Sequence, residues 1–143
     1  MSSMSAPAAA SSRARVSLRL KEIKGDLLIL CVPGTDYELH LVRDGGVIDA
    51  SHIGRRVSGE IHARALRMHR SDTGGCFIEP VYGPPRIVQG AVLAVDAANN
   101  RVLLDLTVPA WMTLHKDNAI DQFREGDLWN CYVESGTRFV VSP

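Results

Sequence analysis

From Val16 onward the apolar residues of this chain return at every second position, a period that suits strands and not helices. Val16, Leu18 and Leu20 alternate with polar residues, and Lys24-Gly25-Asp26 then supplies turn chemistry before a short run that is apolar throughout. Ala91, Leu93 and Val95 repeat the pattern, Asn99-Asn100 makes a tight connection, and Val102, Leu104, Leu106 and Val108 return. Successive strand side chains point to opposite faces, so each stretch reads as a hairpin with one face sorted for burial. Sustained helical periodicity is missing, which predicts an all-β chain.

The strand pattern also repeats at longer range. Leu28, Leu30, Val32 and Pro33 align with Leu104, Leu106, Val108 and Pro109 at an offset of 76, and a one-residue slip aligns Leu39-His40 with Leu114-His115. Ile48-Asp49 and Gly54 then align with Ile120-Asp121 and Gly126 at an offset of 72, and Val57 and Ile61 with Trp129 and Val133. Each half closes on a Gly-containing turn and a Phe-led strand, "SDTGGCFIEP" and "ESGTRFVVSP". Two explanations stand, tandem duplication and the grammar that all alternating strands share. Under both, each half holds enough strand candidates for a five-stranded, OB-like barrel. Closure removes the unpaired edges of a flat sheet, and packing two barrels together helps units of about 60 residues, whose cores are marginal alone. The expected organisation is a disordered Ala/Ser-rich tail over residues 1–14, a first barrel over 15–82 and a second over 83–143. The crossing falls at Pro84-Pro85, which cannot donate to a central sheet.

Composition narrows the functional classes. With 45% apolar and 22% charged residues the chain can build a core and is not a disordered chain. Its net charge is zero, yet residues 1–87 carry 12 basic against 9 acidic side chains and residues 88–143 carry 4 against 7. A whole-molecule grip on polyanions is therefore not implied, while a local basic strip remains open. Cys31, Cys76 and Cys131 are odd in number and form no CxxC pair, a usage that fits buried thiols in a reducing cytoplasm. The first residues lack the apolar core of a secretory signal, and no run approaches the roughly 18 apolar residues of a membrane span.

The strongest basic strip is "GRRVSGEIHARALRMHR", residues 54–70, with five arginines, two histidines and one glutamate. As a strand it sends Val57, Gly59, Ile61, Ala63 and Ala65 one way and Arg56, Glu60, His62 and Arg64 the other, with a bulge near Leu66 and Met68. A helix with Ile61, Ala65 and Met68 on one side is the alternative. On an open barrel face, Arg56, Arg64 and Arg67 would meet phosphates, and His62 would stack on bases of a single-stranded nucleic acid or face another polyanion. Among the aromatics, Trp111 after Pro109 and Tyr132 are the candidates for an apolar surface that holds a protein partner or a second copy of the chain.

Catalytic and metal signatures are not apparent. His40, His52, His62, His69 and His115 show neither HxH nor HExxH spacing, so no metal and no cofactor is expected. Ser71-Asp72-Thr73-Gly74-Gly75 lacks the phosphate-loop lysine and precedes a strand, so it reads as a turn. Asp49 and Asp121 read as caps of short helical turns. Arg55-Arg56 followed by Asp72-Thr73-Gly74-Gly75 is similar over about 20 residues to the cyclic-dinucleotide-binding PilZ pattern, but Glu60 stands where a third arginine belongs and the loop lacks its serine. The paired small-barrel plan also resembles tandem molybdate-binding Mop domains in size and order, without their motifs. No family is assigned. The expectation is a non-catalytic binding module, contacting polyanion through Arg56, His62, Arg64 and Arg67 or, alternatively, a protein partner through Trp111 and Tyr132.

Overall fold

A computed structural model describes residues 12–142 as one eleven-stranded sheet with three short 3-10 turns. The strands are β1 (Val16–Lys24), β2 (Leu27–Cys31), β3 (Glu38–Asp44), β4 (Arg56–Arg70), β5 (Phe77–Glu79), β6 (Tyr82–Gly83), β7 (Ile87–Asp96), β8 (Arg101–Asp105), β9 (Pro109–Thr113), β10 (Leu128–Val133) and β11 (Arg138–Val141). The strip over residues 54–70 is therefore a strand from Arg56 to Arg70 and not the alternative helix. β4 runs for 15 residues because its apolar positions alternate without a break from Val57 to Ala65.

Pairing follows two circuits that share this long strand. One runs β1–β2–β3–β11–β4 and returns to β1. The other runs β7–β8–β9–β4–β10 and returns to β7. The first half of β4 lies between β1 and β11, and its middle and end meet β9 and β10. Segments 15–82 and 83–143 are thus not separate sheets, since β11 completes the circuit of the first and β4 completes that of the second. Small β5 and β6 tie the halves further, pairing with β7 and β3.

The register carries a second regularity. β1 and β7 each break their hairpin ladder with a bulge, between Leu20 and Glu22 and between Val92 and Ala94. Gly54 donates to the Leu20 carbonyl at 2.7 Å as Gly126, 72 positions later, donates to that of Val92 at 2.9 Å. Val57 pairs with Leu18 as Trp129 pairs with Gly90, again 72 apart. The alignment of Leu28 with Leu104 needs correction. Leu27 closes its hairpin opposite Lys24 as Arg101 does opposite Asp96, so Leu28 corresponds to Val102, at an offset of 74. His40, opposite Ile29, then corresponds to Trp111, opposite Leu103, and not to His115.

One core runs through both circuits. Leu20, Leu28, Leu30, Leu41 and Phe139 are buried in the first, and Val102, Leu104, Met112 and Cys131 in the second. Each fully buried Leu contributes about 1.5–3 kcal/mol relative to its exposed state. On β7 the buried series is Val88, Val92 and Ala94, while Ala91, Leu93 and Val95 are half-buried. A smaller cluster joins Ala14, Ala94, Leu103 and Trp111. Ser12–Ala14 form a helical turn and Ala14 is buried there, so the expected disordered tail does not extend through residues 12–14; its residues 1–11 lie outside the described residues.

Candidate functional site

Four basic side chains were expected to converge along β4, and the strand spreads them. Arg56, Arg64 and Arg67 are exposed and His62 half-buried, but Arg56 and Arg67 stand eleven residues apart, about 36 Å along an extended strand. Arg64 is paired with Glu134 at 3.7 Å. Both partners are well exposed, which leaves the pair weak. Arg56 lies opposite Arg19 on β1, away from any aromatic candidate.

His62 sits where the circuits meet, in register with Trp111 on β9 and Arg138 on β11. Its Nε2 lies 3.0 Å from Glu60 Oε1. Burial pushes the His62 pKa below the ordinary imidazole range; Glu60 raises it only in part, and Arg101 and Arg138 lower it further. The shift favours the neutral ring at neutral pH, which makes His62 a poor source of charge for a polyanion. NMR titration of the wild-type protein should place the His62 midpoint below 6.5, and Glu60→Gln should move it lower still; a midpoint at or above 6.5 contradicts this placement. The sign of the linkage follows: His62 favours folding at neutral pH, and that contribution declines as pH falls from 6.5 toward the folded value.

Trp111 is not a partner surface. Only 1% of it is exposed, because β9 is covered on both faces. Ala14 and Leu103 pack in its cluster, and the Arg101 guanidinium lies 3.8 Å from its ring centre. Arg101 is fixed in turn by Asp96, whose Oδ2 accepts from Arg101 Nε and Asn99 Nδ2, each at 2.8 Å. Burial alone would raise the Asp96 pKa, but the hydrogen bonds from Arg101 and Asn99 outweigh it and hold the carboxyl below its ordinary range. The unbroken apolar run Ala110-Trp111-Met112 was the sequence sign of a strand buried on both sides.

Tyr132 does face outward, and the fold gathers other side chains around it. Tyr132 on β10 pairs with Arg67 and the next residue, Val133, pairs with Ala65, so Leu66 is the extra residue of a bulge. Leu66 is 51% exposed, Tyr132 43% and Val81, in the link between β5 and β6, 49%. These are three of the six exposed large apolar residues among the described residues, and all line one groove of about 770 Å³. Pro80, Ile87 and Val133 extend its apolar wall, with Glu79 and Arg86 as its charged lining. Arg67 lies over the Tyr132 ring at 5.8 Å. Of the six candidates the structure thus brings His62 beside buried Trp111 and, at the exposed groove, Arg67 beside Tyr132. Leu66, Val81 and Arg86 were missed; the broken alternation at Leu66 was the one available signal.

The remaining motifs resolve into structural parts. The Ser71–Gly75 segment links β4 to β5 and is held by buried Gln89, whose Nε2 donates to the Thr73 and Gly75 carbonyls at 2.9 Å. Asp49 caps a short 3-10 turn, accepting from the Ser51 amide, whereas Asp121 lies inside the later turn without capping it. Burial pushes the Cys131 thiol up to about 12, which makes it an inert part of the core. Among the described residues no group of three or more His, Cys, Asp or Glu side chains could hold a metal, and no helix is long and apolar enough to cross a membrane. Compared with known proteins, the chain matches no family model, no curated protein and no solved structure.

Proposed function

We propose that this protein is a non-catalytic binding module whose groove between β4, β10 and the β5–β6 link holds an apolar, acid-bearing segment of a protein partner. The observation that carries the reading is a groove lined by exposed Leu66, Val81 and Tyr132 together with Arg86, with Arg67 over the Tyr132 ring; neither arginine enters an ion pair among the described residues. Apolar side chains would supply the burial, and the two cations would select a segment carrying Asp or Glu. The scaffold is read as two small OB-like barrels derived from one duplicated unit, supported by the matched bulges and the recurrent 72-residue spacing. β4 of the first unit and β11 of the second each take a place in the other's circuit, a rigid base for a surface groove.

The test pans a displayed library of random dodecapeptides against the protein. Enriched peptides should combine apolar residues with Asp or Glu, and Leu66→Ser with Tyr132→Ser should weaken them at least tenfold. Both residues are exposed, so unfolding stability should change by less than about 1 kcal/mol. Unchanged peptide affinity in the double variant refutes the groove. Binding of a single-stranded oligonucleotide that competes with the peptides and weakens steeply with salt would transfer the site to the polyanion reading.

A further inference from the structure

Beside the groove, β4 ends on an unpaired edge. β1 and then β9 occupy one side of the strand as far as Arg64, and β11 and then β10 occupy the other as far as Arg70. Among the described residues, no strand follows β9 along residues 66–70. Antiparallel pairing sends the N–H and C=O of alternate residues to opposite sides. The Ser71 amide donates to the Leu128 carbonyl, so His69 and Arg67, of the same parity, face β10. Met68 and Arg70 then present their backbone groups to the vacant side. A gap of about 450 Å³ separates this edge from the loop carrying His115, Asp117 and Asn118, and Leu66 borders both the gap and the groove.

We infer that the partner segment binds by strand addition, pairing its backbone with Met68 and Arg70 while its side chains enter the groove over Leu66. This deepens the proposed function and rests on it. Main-chain bonding gives such a complex its affinity, and the neighbouring groove gives it side-chain preference. The occupant is an acid-bearing segment, because Arg67, His69 and Arg70 are all exposed on this stretch and of the three only Arg70 enters an ion pair among the described residues, with Asp127 at 3.7 Å, while Asp117 stands across the gap. A second copy is a poor fit, since antiparallel self-pairing sets this basic stretch against itself. The bulge at Leu66 and these charges also keep the edge from pairing indiscriminately.

The experiment measures amide hydrogen exchange with and without a peptide selected as above. In the free protein the Met68 and Arg70 amides should exchange at least tenfold faster than those of Arg67 and His69, and the peptide should slow them at least tenfold. Arg70→Pro, which removes an outward N–H at a strand edge, should bind the peptide at least tenfold more weakly than Arg70→Ala, which loses the same charge but keeps that N–H. If the peptide protects neither amide, and Arg70→Pro binds like Arg70→Ala, strand addition is wrong while the groove survives. A library that yields no binder removes both proposals. Should Arg70→Pro fail to fold, the two amides decide the matter alone, and concentration-dependent protection without peptide would replace the partner with a second copy.

Discussion

Gly90→Val will leave little folded protein under conditions where the wild type is native. Gly90 lies in β7 opposite Trp129, and a Cβ there would overlap the Asp105 carbonyl oxygen and stand 2.7 Å from its carbon. Leu106 Cδ2 would lie 2.9 Å away. A flexible side chain could turn aside, but the Asp105 carbonyl is backbone of β8, paired with Ala91 one residue further along. Relieving the overlap requires prising β7 from β8 and opening the second circuit. Overpacking of this kind costs about 1–3 kcal/mol where side chains yield, and more where backbone must. We expect a loss of at least about 3 kcal/mol from a total near 5–15 kcal/mol, read as a lowered urea midpoint or accumulation in the insoluble fraction. Wild-type stability for this variant would mean that β7 and β8 do not approach as described.

Phe139→Ala should cost about 3–5 kcal/mol, the range for emptying a buried aromatic site. Phe139 is fully buried and anchors β11, which has parallel β3 on one side and antiparallel β4 on the other. The fit is close: a Cβ on Gly59 would overlap the Val140 carbonyl oxygen and come 2.7 Å from Phe139 Cζ. Losing the ring should free β11 first, and with it the ladder partners of Val42–Asp44 and Gly59–His62. Hydrogen exchange should therefore rise in β3 and the first half of β4 before β8. A uniform rise across both circuits would refute this local role for β11.

Local chemistry made part of this architecture legible. The two-residue period marked β1 and β4, and the lapse at Leu66 marked a real bulge that later frames the groove; β8 ends at Asp105, short of the alternation that ran on to Val108. Strand partners were not legible, because alternation assigns faces without saying which strand lies alongside; β11 sits in the first circuit for reasons of shape around Gly59. The same blindness explains the misalignment of the two halves. Sliding β8 by two residues keeps every side chain on its proper face, so Leu104 seemed as good a match for Leu28 as Val102 is. Trp111 was misjudged although the run Ala110-Trp111-Met112 signalled burial on both faces; part of its cover, Ala14, is distant in sequence. Tyr132 and Arg67 were each visible as exposed candidates, but their adjacency depends on the β4–β10 register. Val81 reaches them through the β5–β6 link, for which no periodic signal exists.

The seat of β11 between β3 and β4 has a consequence for how the molecule is made. Residues 138–141 leave the ribosome after the ten other described strands, yet they complete the circuit begun by the first three. Nascent chains carrying β1 to β4 must therefore wait with two open ladders until β11 has emerged, and such distant pairings form slowly. The N-terminal half is synthesised first and finished last.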